Sequence, residues 1–200
     1  MNTRSLILAG LGMFILLNAS LMALYLLMRP SPPRPVEMDL KVIKSLPPFT
    51  LTSQAGVPFS SESLAGKVWI ADFIFTSCPG PCPIMTKNLA GVSETLKMYD
   101  DVAYVSISVD PETDTPEVLA RFAERYGADP ARWTFLTGAP EAIQSIAADS
   151  FMLGSIDDPM IHSPKFTLVD KQGRIRGYYT GTDEVEVDQM ITAVHLLRKE

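Results

Sequence analysis

The chain is poor in the two side chains that bind soft metals best. Its 200 residues hold two cysteines, Cys78 and Cys82, and two histidines, His162 and His195. No third cysteine is available to complete a closed zinc site of four protein ligands. Basic charge is sparse too: the net charge is −6, and no run of lysine or arginine exceeds two residues. That argues against nucleic acid as a partner. The chain shows no internal repeat, and no low-complexity segment beyond one proline-rich stretch. The acidic balance reads as a solvated surface.

One long apolar run is present. Residues 6–28, from Leu6 to Met28, are interrupted only by Asn18 and Ser20. A helix of that length reaches about 34 Å, enough to cross a bilayer core. A cleaved signal peptide is the rival reading. Its apolar region is shorter and ends in small residues, whereas this run ends in Leu26-Leu27-Met28-Arg29-Pro30. Residues 1–5 are therefore read as a short tail and 6–28 as an uncleaved transmembrane signal anchor. Arg4 lies before the run and Arg29 and Arg34 after it, so basic residues barely discriminate its orientation. Residues 29–48 carry Pro30, Pro32, Pro33, Pro35, Pro47 and Pro48 and read as an extended tether. Residues 49–200 read as one domain, long enough for a single core.

Within that domain the elements alternate. Phe49 to Thr52 and the turn at Gly56 suggest a hairpin. Val68 to Phe75 is a buried strand, and a helical pattern follows Cys82 through Leu89, Val92 and Leu96. Val102 to Val109 is a second strand. Thr115 caps a helix opened by Pro116. Trp133 to Leu136, Lys165 to Val169 and Arg174 to Tyr179 are further strands. Helices are expected from Pro140 to about Asp149 and from Asp183 to about Arg198. This order predicts an α/β sandwich with a mixed sheet.

Cys78 and Cys82 stand four apart at a strand-to-helix junction, bracketed by Pro79, Pro81 and Pro83. Free first-turn N–H groups and the helix dipole favour thiolate there. The pair suits either a redox disulfide or soft-metal binding; two inert buried cysteines would need no such spacing. A third group must separate these chemistries. His162 precedes the strand Lys165 to Val169. In a thioredoxin-like sandwich that loop faces the end of the first helix, which would bring His162 to the cysteines. Two thiolates and an imidazole suit copper: sulfur favours Cu(I), and nitrogen also supports Cu(II). His195 lies among apolar residues on the last helix and reads as structural. Asp110 is open between a role beside the metal and a turn residue. Asp114 reads as part of a helix start, and Met160 as packing. Pro164 sits where thioredoxin-like folds often place a cis-proline, so a cis Ser163–Pro164 bond is expected.

Three separated motifs resemble one family. Thr76-Ser77-Cys78-Pro79-Gly80-Pro81-Cys82-Pro83 is similar to the F-T-x-C-P-x-x-C-P motif of the Sco/SenC family. Ile107 to Pro116 is similar to its S-I/V-D-P-x-x-D-T-P motif, and His162 matches its distal histidine. The resemblance spans nearly all of residues 49–200. It implies a thioredoxin-like fold and copper held by Cys78, Cys82 and His162. It also implies a role in metallating the dinuclear copper centre of cytochrome c oxidase subunit II. The cysteine chemistry, for its part, argues that the folded domain lies on the extracytoplasmic side of the membrane. A metallochaperone rather than an enzyme is expected. The alternative is a thiol–disulfide reductase acting on that subunit through Cys78 and Cys82, and a peroxidase is a weaker third reading. The sequence departs from the family where many members carry an acidic residue between the cysteines; here Pro79, Gly80 and Pro81 intervene.

Overall fold

The computed structural model describes residues 18–22, 38, 40–153 and 164–200. The chain divides into two compact units, Met1–Met38 and Asp39–Glu200. In the first, residues 18–22 are helical. The rest of the apolar run at 6–28 lies outside the described residues. Among the described residues no helix is long and apolar enough to cross a membrane.

The second unit is built on one eight-stranded mixed sheet. Its strands are β1 (Lys44–Ser45), β2 (Thr50–Ser53), β3 (Pro58–Ser60), β4 (Val68–Ile74), β5 (Val102–Ser108), β6 (Trp133–Thr137), β7 (Lys165–Val169) and β8 (Arg174–Thr180). Their order across the sheet is β1-β8-β7-β4-β5-β6-β2-β3. The centre, β4-β5-β6, is parallel, and the remaining pairings are antiparallel. The helices are α1 (Pro81–Thr95), α2 (Pro116–Arg125), α3 (Pro140–Ser145) and α4 (Glu184–Leu197).

β4 and β5 are buried at every position, as expected of parallel strands covered on both faces. Alternation along β4 separates two cores. Trp69, Ala71 and Phe73 point into a cluster with Ala103, Val105, Ile107 and Phe151. Phe151 meets the rings of Phe49, Trp69 and Phe73 edge-on, with centroids 5.3–6.3 Å apart. The other face carries Val68, Ile70, Asp72 and Ile74. On that side α2 lays Phe122 against Phe135, and α1 buries Met85, Leu89 and Val92.

The expected α/β sandwich with a mixed sheet is present, with two differences in detail. The helix expected from Pro140 to about Asp149 is α-helical only to Ser145. A π-helical turn, Ile146–Ser150, follows and delivers Phe151 to the core. The sheet also begins before Phe49. Lys44 and Ser45, in the stretch read as tether, pair with Ile175 and Arg174 of β8. The Ser163–Pro164 bond involves Ser163, which lies outside the described residues.

Candidate metal and thiol site

Two strand ends and one helix start build the site. β4 and β5 run parallel, so the loops that leave them emerge at the same edge of the sheet. Ligands of α/β sheets bind at that edge, beyond the carboxyl ends of the strands. The β4 loop carries Thr76, Ser77 and Cys78. The β5 loop carries Asp110 and Asp114. β7 runs antiparallel to β4, with Ala71 opposite Thr167. Its first residues, and Pro164 before them, therefore lie at this same edge. His162 and Met160 lie outside the described residues.

Both cysteines are reduced and buried. The Cys78 amide closes a turn onto the Phe75 carbonyl at 3.2 Å. Cys82 is the second residue of α1, between Pro81 and Pro83, which have no N–H to offer. The two thiols are not equivalent. Burial disfavours the Cys78 thiolate, but the Cys82 thiol and the backbone N–H groups of Cys82 and Gly80 hydrogen-bond to it. The net result is a pKa below the usual thiol value. Cys82 goes the other way. Burial, then its bond to Cys78, push it up to about 12, and the negative charges of Cys78 and Asp72 add to the rise. The expectation that helix-start geometry favours thiolate at both positions thus holds for Cys78 only. At Cys82 burial outweighs the helix terminus.

The sequence reading assigned no role to Asp72. It lies on β4, fully buried on the face that carries α1. Ser106 Oγ donates to its Oδ1 at 2.6 Å, and Trp133 Nε1 donates to that same Ser106 oxygen at 2.9 Å. Its Oδ2 has no hydrogen-bond partner among the described residues. Burial pushes its pKa up to about 7, with the Ser106 bond opposing. The signal was visible: a lone acidic residue inside an otherwise apolar strand must be paired or neutral.

Asp114 corrects another expectation. It is not merely part of a helix start: Thr115 alone caps α2, accepting from the Val118 amide. The Asp114 carboxylate is fully buried. It accepts from the Thr76 amide at 3.0 Å, from Thr76 Oγ1 at 2.5 Å and from Ser108 Oγ at 2.6 Å. Asp110 is half-buried, and its carbonyl accepts from the Thr113 and Asp114 amides. His195 packs edge-on against Tyr99 at 5.5 Å, as a structural histidine would. Among the described residues no three His, Cys, Asp or Glu side chains cluster as metal ligands. The described part of the site is therefore a thiol pair.

Comparison with known proteins fits this geometry. The family model described as SCO1/SenC matches residues 40–197. A SCO1 protein homolog of Bacillus subtilis is 39% identical over 153 residues, spanning 74% of this chain and 79% of its own. The solved structure of BsSco, a Sco family cytochrome c oxidase assembly protein with a disulfide switch, is 34% identical. It superposes with a TM-score of 0.69 over 80% of this chain and 96% of its own. Arabidopsis thaliana ScoI, solved with copper bound, is 28% identical with a TM-score of 0.63, over 76% and 98% of the two chains.

Proposed function

The chain belongs to the SCO1/SenC family, and from that premise we propose that it is a membrane-anchored copper chaperone. In this reading Cys78, Cys82 and His162 take up copper, and the cargo passes to an acceptor such as cytochrome c oxidase subunit II. The observation that carries it is the pair of free, buried thiols gathered at the β4–α1 junction, close enough for each to shift the pKa of the other. Two adjacent sulfurs match the preference of Cu(I). Relatives of the same fold are solved with copper bound. His162 stands two residues before Pro164, which lies at the sheet edge where Cys78 sits. Metal uptake deprotonates thiols. Cys78 is disposed to lose its proton, whereas Cys82 gives up its own only against the metal, so affinity rises with pH. In this reading the apolar run at 6–28 is the anchor, and the paired cysteines favour an extracytoplasmic site for the folded domain.

The inequality of the thiols favours a second reading, thiol–disulfide exchange. Cys78, of lowered pKa, attacks a partner disulfide and forms a mixed disulfide, releasing one partner thiolate. Cys82 then attacks Cys78, and the second partner sulfur leaves as thiol. Two electrons and two protons pass to the partner, and a Cys78–Cys82 disulfide remains. A related family member carries a disulfide switch.

Anaerobic copper titration of the reduced full-length chain separates the two. The chaperone reading expects one tightly held Cu(I), affinity reduced by at least about tenfold in His162→Ala, and loss of tight binding in Cys78→Ser. Unchanged affinity in His162→Ala removes His162 from the ligand set. Absence of tight copper in the wild-type chain, with both thiols reduced, leaves exchange as the function.

A further inference from the structure

Asp114 does something the family assignment and the thiol chemistry leave unexplained. A carboxylate with no solvent exposure is costly unless its oxygens are well used. This one spends its hydrogen bonds on neither helix nor turn. Both its oxygens are engaged by Thr76, through amide and hydroxyl, and Oδ2 also by Ser108. Ser108 in turn takes the Asp110 amide at 3.1 Å. The carboxylate therefore ties the residue that follows the β4 strand end to the last residue of β5.

Thr76 is where the cysteine loop starts. Cys78 follows two residues later, its amide held on Phe75. Motion of Thr76 away from β5 would carry Cys78 with it, while Cys82 stays fixed in α1. We propose that Asp114 is a positioning residue for the thiol pair, latching the Thr76–Cys78 loop to the end of β5 so that Cys78 is held against Cys82. The inference rests on the reading that these two thiols work as a pair, whether on copper or in exchange. Among the described residues Asp114 hydrogen-bonds to neither sulfur; it acts through Thr76. Groups that orient ligands in this way commonly change metal affinity by about 10–100-fold when replaced.

The test uses the full-length chain as wild type, Asp114→Asn, Thr76→Val, the double variant and Thr115→Ala. Two local quantities are read. One is Cu(I) affinity, by competition with a chromophoric chelator. The other is the Cys78–Cys82 midpoint potential in glutathione buffers. Melting temperature is followed alongside. Asp114→Asn is expected to weaken Cu(I) by about tenfold or more. An equal tenfold change in the disulfide equilibrium moves the potential by about 30 mV. Thr76→Val shifts both in the same direction by less, because its amide still reaches the carboxylate. The double variant shows less than the sum. Thr115→Ala loses a helix cap, so it lowers melting temperature and leaves both local readings in place.

Asp114→Asn that melts earlier but keeps wild-type affinity and potential overturns the proposal. Equal shifts in Thr115→Ala overturn it too, since generic destabilisation would then account for them. If Asp114→Asn does not fold, Thr76→Val decides alone, and unchanged readings there overturn the latch. Failure of the wild type to bind copper would sink the chaperone reading, and the potential would still decide on Asp114.

Discussion

A carboxyl group buried in a strand needs a cation or enough hydrogen-bond donors to stay ionised; otherwise it keeps its proton. Asp72 has no cation among its hydrogen-bond partners; a serine hydroxyl serves one oxygen, and the other has none among the described residues. Its ordinary value of 3.8 rises to about 7 in the fold, chiefly through burial. Between those two values the folded chain holds a proton that the unfolded chain has lost. The contribution to stability is complete below about 3.8, declines as pH rises, and is spent above about 7. Asp72→Asn is neutral at every pH and escapes the decline. Urea denaturation from pH 4 to pH 8 should show the variant gaining on wild type by on the order of a few kcal/mol, with most of the gain before pH 7. A constant difference across that range would show that Asp72 is ionised throughout. The residue scale is also where the sequence is least transparent. The Cys-x-x-x-Cys spacing identifies the thiols, but the split between Cys78 and Cys82 depends on relative burial and on which amides point at which sulfur. The role of Asp114 depends on Thr76 lying beside it, 38 positions away in sequence.

Gly181 shows how closely the elements around the site are fitted. It follows β8, donates its N–H to the Pro164 carbonyl at 2.7 Å, and accepts from Asn88 of α1 at 2.8 Å. One residue thus joins the end of β8, the entry to β7 and the helix that carries Cys82. A methyl group there would come within 2.9 Å of the Phe166 ring. That ring is fully buried on β7 and has little room to retreat. Gly181→Ala is therefore expected to cost about 1–3 kcal/mol, read as a lower urea midpoint with an unchanged slope; an unshifted midpoint would mean that β7 yields without cost. The elements themselves were largely readable. Hydrophobic runs marked β4 and β5, the Thr115-Pro116 start marked α2, and Asp170 to Gly173 marked the β7–β8 turn, where Gly173 adopts a φ of +73°. The π-helical turn was not readable, because local preference does not distinguish it from a continuing α-helix. Neither was β1: two residues close to Pro47 and Pro48 carry no strand pattern, and only pairing with β8 makes them one.

The extent of the folded unit decides how the protein can be handled as a whole. Proline content places the start of the domain at Phe49, whereas the sheet and the compact unit reach back to about Asp39. The intervening residues are bound in several ways. Ile43 donates to the Ile175 carbonyl at 2.8 Å and Leu46 to the Gly173 carbonyl at 2.9 Å. The Leu40 carbonyl accepts from Arg176 Nε at 2.8 Å. Arg176 is the hub of that end of the molecule: its side chain also pairs with Asp170 and with the final residue, Glu200. Both ends of the unit are thus gathered on one buried guanidinium. Removing residues 40–48 would take away one of its acceptors and leave β8 as a bare edge, open to pairing with other chains. At roughly 1 kcal/mol each, these three hydrogen bonds alone put the cost at about 3 kcal/mol or more. For a domain of this size that lowers Tm by about 6–12 °C. Soluble fragments covering 40–200 and 49–200, compared by calorimetry, should differ by that margin, with the shorter one also more prone to aggregate. Equal melting temperatures would show that β1 rests on the sheet without supporting it. The copper and thiol readings at the opposite end of β4 should be the same in both fragments at temperatures where both are folded, because none of the lost bonds reaches Thr76, Cys78 or Asp114.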